Sequence, residues 1–185
     1  MADQWTDTEV SKFLSYVLRH NPAAAGIVLD ENGWTPFSAI LSAADKKFGI
    51  SLNDLLHVID GNSKKRFTLD GDRIRAAQGH SLAVDLQLAP EAPPLVLFHG
   101  TTELAWRKIQ SQGLNKMQRT QVHLSSDAKG AEIVAKRRKG PHALLSVDAA
   151  AMASNGHIFY LSENKVWLCD SVSADYITLL VEAAP

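Results

Sequence analysis

The stretch Thr6-Asp7-Thr8-Glu9-Val10-Ser11-Lys12-Phe13-Leu14-Ser15-Tyr16-Val17-Leu18-Arg19-His20-Asn21-Pro22 decides how the first half of the chain folds. Thr6-Asp7-Thr8-Glu9 has the form of a capping box, with Thr6 at the N-cap and Glu9 three residues on. Val10, Phe13, Leu14, Val17 and Leu18 recur at i, i+3, i+4, i+7 and i+8, the stripe of a helix with one buried face. Pro22 biases Asn21 away from helical geometry, so the helix ends near His20. Arg19 and His20 therefore stand at a helix C-terminus, where the dipole favours cations. That alone accounts for the pair. A chemical role depends on what other segments bring to it.

Downstream, Ile27-Val28-Leu29 leads into a turn at Asp30-Glu31-Asn32-Gly33, and Trp34-Thr35-Pro36 precedes a helix expected over 37–47. Ser51 starts another helix, with Leu52, Leu55, Leu56 and Ile59 as its stripe. Residues 66–69 and 73–76 read as two short strands around Asp70-Gly71-Asp72, a hairpin signal. Helices followed by such a wing suggest a winged helix, a module that contacts nucleic acid. Three prolines within Ala89-Pro90-Glu91-Ala92-Pro93-Pro94 make a short stiff linker. The expected organisation is thus a first lobe over 1–88, a linker over 89–94 and a second lobe over 95–185. The second lobe opens on a strand over 95–98 that ends at His99-Gly100-Thr101-Thr102. A helix over 104–112 closes at Gly113, and another covers 128–138. Further strands are expected over 121–124, 143–147, 157–160 and 166–169. The fold class is α+β.

Composition narrows the function classes. Of the 185 residues, 45% are hydrophobic and 21% charged, ordinary values for a globular protein. The single cysteine, Cys169, rules out an intrachain disulfide and a cysteine-built metal cluster, so the cytoplasm is the expected compartment. No signal peptide and no run long enough to span a bilayer is evident, so no membrane partner is expected. With a formal net charge of −1, any polyanion site must be a local basic patch. Nothing suggests an extended apolar surface, so the chain reads as a monomer.

Four constellations could carry chemistry. Arg19-His20 is the first. The second is Lys64-Lys65-Arg66-Phe67, followed by Arg73, Arg75, Gln78 and His80. Arg66 begins a strand there, and its planar fork matches phosphate oxygens, although such runs also make ordinary solvated surface. The third is Met117-Gln118-Arg119-Thr120-Gln121-Val122-His123-Leu124-Ser125. On a strand, Arg119, Gln121, His123 and Ser125 share one wet face, which an ordinary surface strand also explains. The fourth is Phe98-His99-Gly100-Thr101, where a glycine after a strand lets a ligand approach the backbone. No Rossmann glycine pattern, P-loop, nucleophile elbow or H-E-x-x-H is present, and no metal site is expected.

In this order the four constellations closely resemble the RNA 2′-phosphotransferase family, the tRNA 2′-phosphotransferases and their bacterial relatives. The resemblance also covers Ser11 to His20, Asp30 to Trp34, Ile74 to Ser81 and Glu163-Asn164-Lys165-Val166-Trp167-Leu168. It implies a winged-helix-like RNA lobe and an ADP-ribosyltransferase-like lobe that binds NAD+ as co-substrate. It also implies the reaction: an internal RNA 2′-phosphate, as in a tRNA, attacks the nicotinamide ribose and expels nicotinamide. The RNA-2′-phospho-ADP-ribose so formed then yields 2′-OH RNA and ADP-ribose 1″,2″-cyclic phosphate. The family's catalytic set maps onto Arg19, His20, Arg66 and Arg119, which should act on one phosphate. His99, Gly100, Thr101, His123, Ser125 and Val166 map onto the NAD+ site. Two positions depart from the family pattern. Gln121 stands where a histidine is usual and cannot carry a proton, and Lys165 stands where a glycine is frequent.

Two other functions use the same residues. The same clamp and NAD+ pocket would serve an enzyme that caps terminal RNA or DNA phosphates with ADP-ribose. A winged-helix regulator would use Lys64, Lys65 and Arg66 as phosphate contacts, but leaves His99, Arg119 and His123 unexplained.

Overall fold

The computed structural model describes residues 5–182. The chain divides into two compact units, one through Gln87 and one from Leu88. Both mix helices with antiparallel sheet, so the fold is α+β.

In the first unit, α1 spans Asp7–Arg19 and starts on the expected capping box. The Glu9 amide donates to Thr6 Oγ1 at 3.3 Å, and the Thr6 amide donates to the Glu9 carboxylate at 2.9 Å. His20 is its C-cap, and Asn21 then caps a 3₁₀ turn over Pro22–Ala25. Short β1 (Thr35–Pro36), α2 (Phe37–Phe48), α3 (Leu52–Asp60), β2 (Phe67–Asp70) and β3 (Arg73–Ala76) follow. The strands form one antiparallel sheet in the order β1-β3-β2. The Asp30 carboxylate builds the preceding turn by accepting from the Asn32 and Trp34 amides at 2.9 and 2.8 Å. The core gathers Val10, Leu14, Val17 and Leu18 of α1 with Ile40, Leu55, Val58 and Ile74. Phe13 is only half-buried and meets Phe48 edge to face. On α3 the stripe differs from the expected one. Leu52 is exposed and Leu56 half-buried, while Val58 is buried, so the buried face is turned by part of a helical step.

In the second unit, β4 (Val96–Thr102) leads into α4 (Glu103–Gln112), β5 (Leu114–Asn115), β6 (Val122–Leu124) and α5 (Ala128–Ala135). β7 (His142–Asp148), α6 (Ala149–Ser154), β8 (Tyr160–Leu161), β9 (Trp167–Cys169), β10 (Ser171–Val172) and β11 (Ile177–Glu182) follow. The sheets run β11-β7-β4, β6-β9-β8 and β10-β5. Along β7, Ala143, Leu145 and Val147 are buried and their neighbours less so, the period-two pattern of a packed strand. The two larger sheets touch at a single bridge, where Phe98 and Ser125 exchange backbone hydrogen bonds of 2.9 and 2.8 Å.

Four expectations change. His99, Gly100, Thr101 and Thr102 lie within β4 rather than after it. Arg119 lies in a turn, its amide donating to the Lys116 carbonyl at 3.0 Å, so it does not share a strand face with His123. The helix after Asp127 stops at Ala135, before the basic residues. Within the proline-rich segment, Pro90 bridges to Tyr160 and the Glu91 amide donates to the Phe159 carbonyl at 2.9 Å, so these residues belong to the second unit.

Candidate functional site

A groove of about 520 Å³ in the first unit is lined by Arg19, His20 and Arg66, together with Lys12, Tyr16 and Lys64. Two of the four constellations, read from segments some forty-five residues apart, thus reach one concavity. The end of α1 is held from far along the chain. The Ser81 amide donates to the Arg19 carbonyl at 3.0 Å, and Ser81 Oγ lies 2.9 Å from His20 Nδ1. Gly79 sits at φ 92°, and the nearest atoms to a Cβ there would belong to the Arg19 side chain. Pro22 ends the helix, and the segment carrying Gly79 and Ser81 then sets where the pair stands.

Arg66 is placed by a residue that sequence reading passed over. Asn62 is buried, with 9% of its surface exposed. Its side-chain oxygen accepts from Arg66 Nη1 at 2.9 Å and from the Lys64 amide at 3.2 Å. Its Nδ2 donates to Ser11 Oγ on α1 at 2.9 Å. One amide therefore links α1, the loop after α3 and the guanidinium. It orients Arg66 without adding a negative charge. Between Lys64 and Arg66, Lys65 sits at φ 40°, the left-handed region that a lysine seldom adopts. Arg66 itself precedes β2 by one residue, but its carbonyl still accepts from the Ala77 amide at 2.9 Å, which continues the ladder.

The rest of the second constellation has other work. Arg75 is 8% exposed, lies 4.4 Å above the Trp34 ring and donates to the Leu86 carbonyl at 3.3 Å. Arg73 stacks on the same ring and pairs with Asp70 at 2.7 Å. His80 is fully buried, and neither ring nitrogen has a hydrogen-bond partner among the described residues. Burial, with Arg19, His20 and Arg75 nearby, pushes its pKa down from 6.5 to about 4. These residues brace the fold around Arg19 and do not line the groove.

In the second unit, His99 on β4 is half-buried, and its Nδ1 lies 3.1 Å from the His123 carbonyl oxygen. A carbonyl can only accept, so Nδ1 carries the proton. Burial holds the His99 pKa below its ordinary value. The His123 bond works against this, and Arg138 and Arg119 reinforce it. The neutral ring then presents a lone pair at Nε2. His123 is the middle residue of β6, and Ser125 follows it at the bridge to β4. Val166 precedes Trp167, which pairs with Leu124, so it lies beside the same strand end. Thr101 is buried.

Gly100 has a different reason to be glycine than ligand approach. A Cβ there would come within 1.8 Å of the Ala131 carbonyl oxygen on α5. The helix backbone crosses the strand at this point, and only a missing side chain permits it.

Arg119 belongs to this second unit and is exposed. Partial burial of the guanidinium, then Arg138 and Arg137, lower its pKa, and it remains a cation. The run Lys136-Arg137-Arg138-Lys139 was not among the four constellations. It sets extra positive charge near Arg119 and His99. Gln121 lies just before β6, and Lys165 sits at φ 62°. That backbone region is the one glycine adopts without cost, so the lysine is held there against its preference. Cys169 is buried and its thiol pushed up to about 12, mainly by burial, so it is an inert core residue. Among the described residues there is no group of side chains that could hold a metal ion, and no helix long and apolar enough to cross a membrane.

Comparison with known proteins places the chain among enzymes, as a transferase. It belongs to the "RNA 2'-phosphotransferase, Tpt1 / KptA family", whose description matches residues 6–171. A protein of Rhizobium rhizogenes is 55% identical over 178 residues, 96% of each chain. One of Rhodopirellula baltica is 49% identical over 172 residues, covering 91% of this chain and 93% of its own. One of Streptomyces griseus is 44% identical over 187 residues, covering 96% and 98%. Each is named "Probable RNA 2'-phosphotransferase".

Proposed function

We propose that this protein removes an internal 2′-phosphate from RNA, a tRNA among the candidate substrates, by transferring it to NAD+. The observation that carries this reading is the convergence of Arg19, His20 and Arg66 on one groove in a member of this family. Three helices followed by a β2–β3 wing favour a winged-helix-like RNA lobe for the first unit. Two antiparallel sheets joined at one bridge favour an ADP-ribosyltransferase-like lobe for the second. The donor set there suits a dinucleotide: the His99 lone pair and the Thr101 and Ser125 hydroxyls suit ribose hydroxyls, and Arg137 and Arg138 suit a diphosphate. When bound, NAD+ supplies the ribose that accepts the phosphate and the nicotinamide that leaves. The lone, buried Cys169 fits a reducing cytoplasm, and we take the working form to be a monomer.

The chain's own residues then divide the labour. A 2′-phosphate is already an anionic nucleophile, so it needs orientation more than deprotonation. Arg19 and Arg66 supply planar donors for its oxygens, and Arg119 of the second unit is assigned to the reacting ribose. As charge grows on the phosphoryl oxygens in the second transfer, these fixed cations stabilise it. His20 can donate to the phosphate through Nε2 while Nδ1 is held by Ser81. Its imidazole can also shuttle the proton of that step. His99 and Thr101 hold the second substrate, with His123, Ser125 and Val166 beside them.

The deciding assay measures loss of 2′-phosphate from a short RNA with and without NAD+. Loss only with NAD+ is expected, and equal loss without it, or none with it, refutes the proposal. Arg66→Ala should cut the rate by about 10²–10³ with the fold retained at the assay temperature, the usual cost of removing one charge-stabilising donor. A fully active variant would remove Arg66 from the site.

A further inference from the structure

We infer that the groove along α1 is a one-sided track for the RNA nucleotides that flank the 2′-phosphate, with Lys12 and Tyr16 as its binding contacts. This rests on the proposed reaction.

Arg66 faces the groove, tethered to α1 through Asn62 and Ser11, and Arg19 and His20 stand at the C-terminal end of the same helix. From there Tyr16 and Lys12 recede along a single row of α1, four and eight residues before His20. At 1.5 Å per residue they lie about 6 and 12 Å along the helix. That length matches about three nucleotides stacked at roughly 3.4 Å each. Lys12 and Lys64 line the groove as phosphate contacts from its two walls.

Tyr16 is 48% exposed, yet its hydroxyl accepts from Asn21 Nδ2 at 3.0 Å. A ring fixed at its tip and open on its face is a stacking platform, and base–aromatic stacking is tolerant of sequence. The far end carries Asp7, with the His57 ring 3.7 Å away and both side chains solvated. A carboxylate there opposes any further backbone phosphate. The charge order along α1, with cations at the reactive end and an anion at the other, ends the track after Lys12. It also makes the dependence on RNA length one-sided.

The test uses the full chain, NAD+ and two series of 2′-phosphorylated oligonucleotides, one extended on the 5′ side and one on the 3′ side of the phosphate. KM should fall about tenfold over the first three nucleotides in one series only, then level off, as expected for one stacked base plus one phosphate contact. Lys12→Ala should flatten that series and reduce the slope of log(1/KM) against log salt by about 1. Tyr16→Ala should raise KM about 5- to 10-fold on the long members, and Tyr16→Phe should recover most of the loss. Length-independent KM, equal gains on both sides, or an undiminished length effect in Lys12→Ala and Tyr16→Ala overturns the track. If the intact enzyme removes no 2′-phosphate from any oligonucleotide, the reaction itself is refuted. Fluorescence anisotropy with the same series then still decides whether the groove binds RNA on one side.

Discussion

Asn62→Ala tests whether the groove is built or incidental. The substitution removes three hydrogen bonds at once: to Ser11 Oγ, from the Lys64 amide and from Arg66 Nη1. The two neutral bonds are worth about 1 kcal/mol each and the charge-assisted one about 1.5–3 kcal/mol. Water can refill the side facing Lys64, which is exposed, but not the buried Ser11 hydroxyl. A net destabilisation of about 3 kcal/mol is therefore expected, read as a lower urea midpoint at unchanged slope. The activity effect is separate. Arg66 would lose the acceptor that fixes one edge of its fork, and a misplacement of about 1 Å in a reacting constellation can cost about 10²-fold in rate. Asn62→Asp makes the control. It keeps the acceptor but brings a carboxylate to the guanidinium, so it should anchor Arg66 well and still weaken RNA binding through KM. A cycle with Arg66→Ala completes the measurement, because the Asn62→Ala loss should nearly vanish once Arg66 is gone. If Asn62→Ala keeps its stability and stays within twofold of the parent in kcat/KM, the reasoning fails.

Three further outcomes follow from local geometry. Gly100→Ala should destabilise by about 3 kcal/mol or more, because α5 must move to clear a contact of 1.8 Å, and retained stability would show that α5 does not pack where described. Lys165→Gly should stabilise by about 0.5–1 kcal/mol, relief of left-handed strain exceeding the extra chain entropy of glycine, and a lowered urea midpoint would contradict it. His80 should make the fold acid-sensitive. Its folded pKa of about 4 lies below the unfolded 6.5, so the unfolded chain binds the extra proton and stability falls as pH drops through that window, by about 3 kcal/mol in full. His80→Leu should show a shallower decline between pH 7 and pH 4.5 in urea titrations. An identical decline would assign the acid response elsewhere.

Features with a local cause could be read directly from the chain. The capping box and apolar stripe place α1 because both act within a few residues. Asp70-Gly71-Asp72 places the β2–β3 hairpin because a tight turn is chosen locally. Two local signals were passed over: Asp148, which caps α6 by accepting from the Ala151 amide at 2.9 Å, and the apolar, β-branched run of β11. The rest has no local cause. Asn62 looks like any turn residue, and nothing nearby announces a partner 51 positions earlier. Arg75 looks like a surface cation, and only the fold shows Trp34 beneath it. Gly100 also has a packing reason to be glycine that a strand-end motif cannot show, because a helix 30 residues later lies across it. Sequence patterns located the segments that carry the candidate site. They could not say which charged side chains line a groove and which brace the fold.

The placement of Arg19 and His20 also raises an electrostatic question. A helix C-terminus carries about half a negative charge, so a phosphate bound there is opposed by roughly 0.3–1 kcal/mol. Most anion sites use the opposite end of a helix. Two features reverse the balance here. The Ser81 amide accepts the role of C-terminal partner by donating to the Arg19 carbonyl, which quenches one of the exposed dipoles that would face an anion. The side chains then outweigh what remains, since each charge-assisted bond from a guanidinium contributes about 1.5–3 kcal/mol. Two arginines therefore exceed the dipole several-fold, and His20 adds a further donor. A helix N-terminus would bind phosphate with no side chains at all, but it would bind any phosphate. At the C-terminal end, binding depends on where Arg19, His20 and Arg66 point. Those directions are set by Ser81, Gly79 and Asn62 from elsewhere in the unit. In the proposed reaction, selectivity for one phosphate on an RNA that carries many follows from building the site on the unfavourable end.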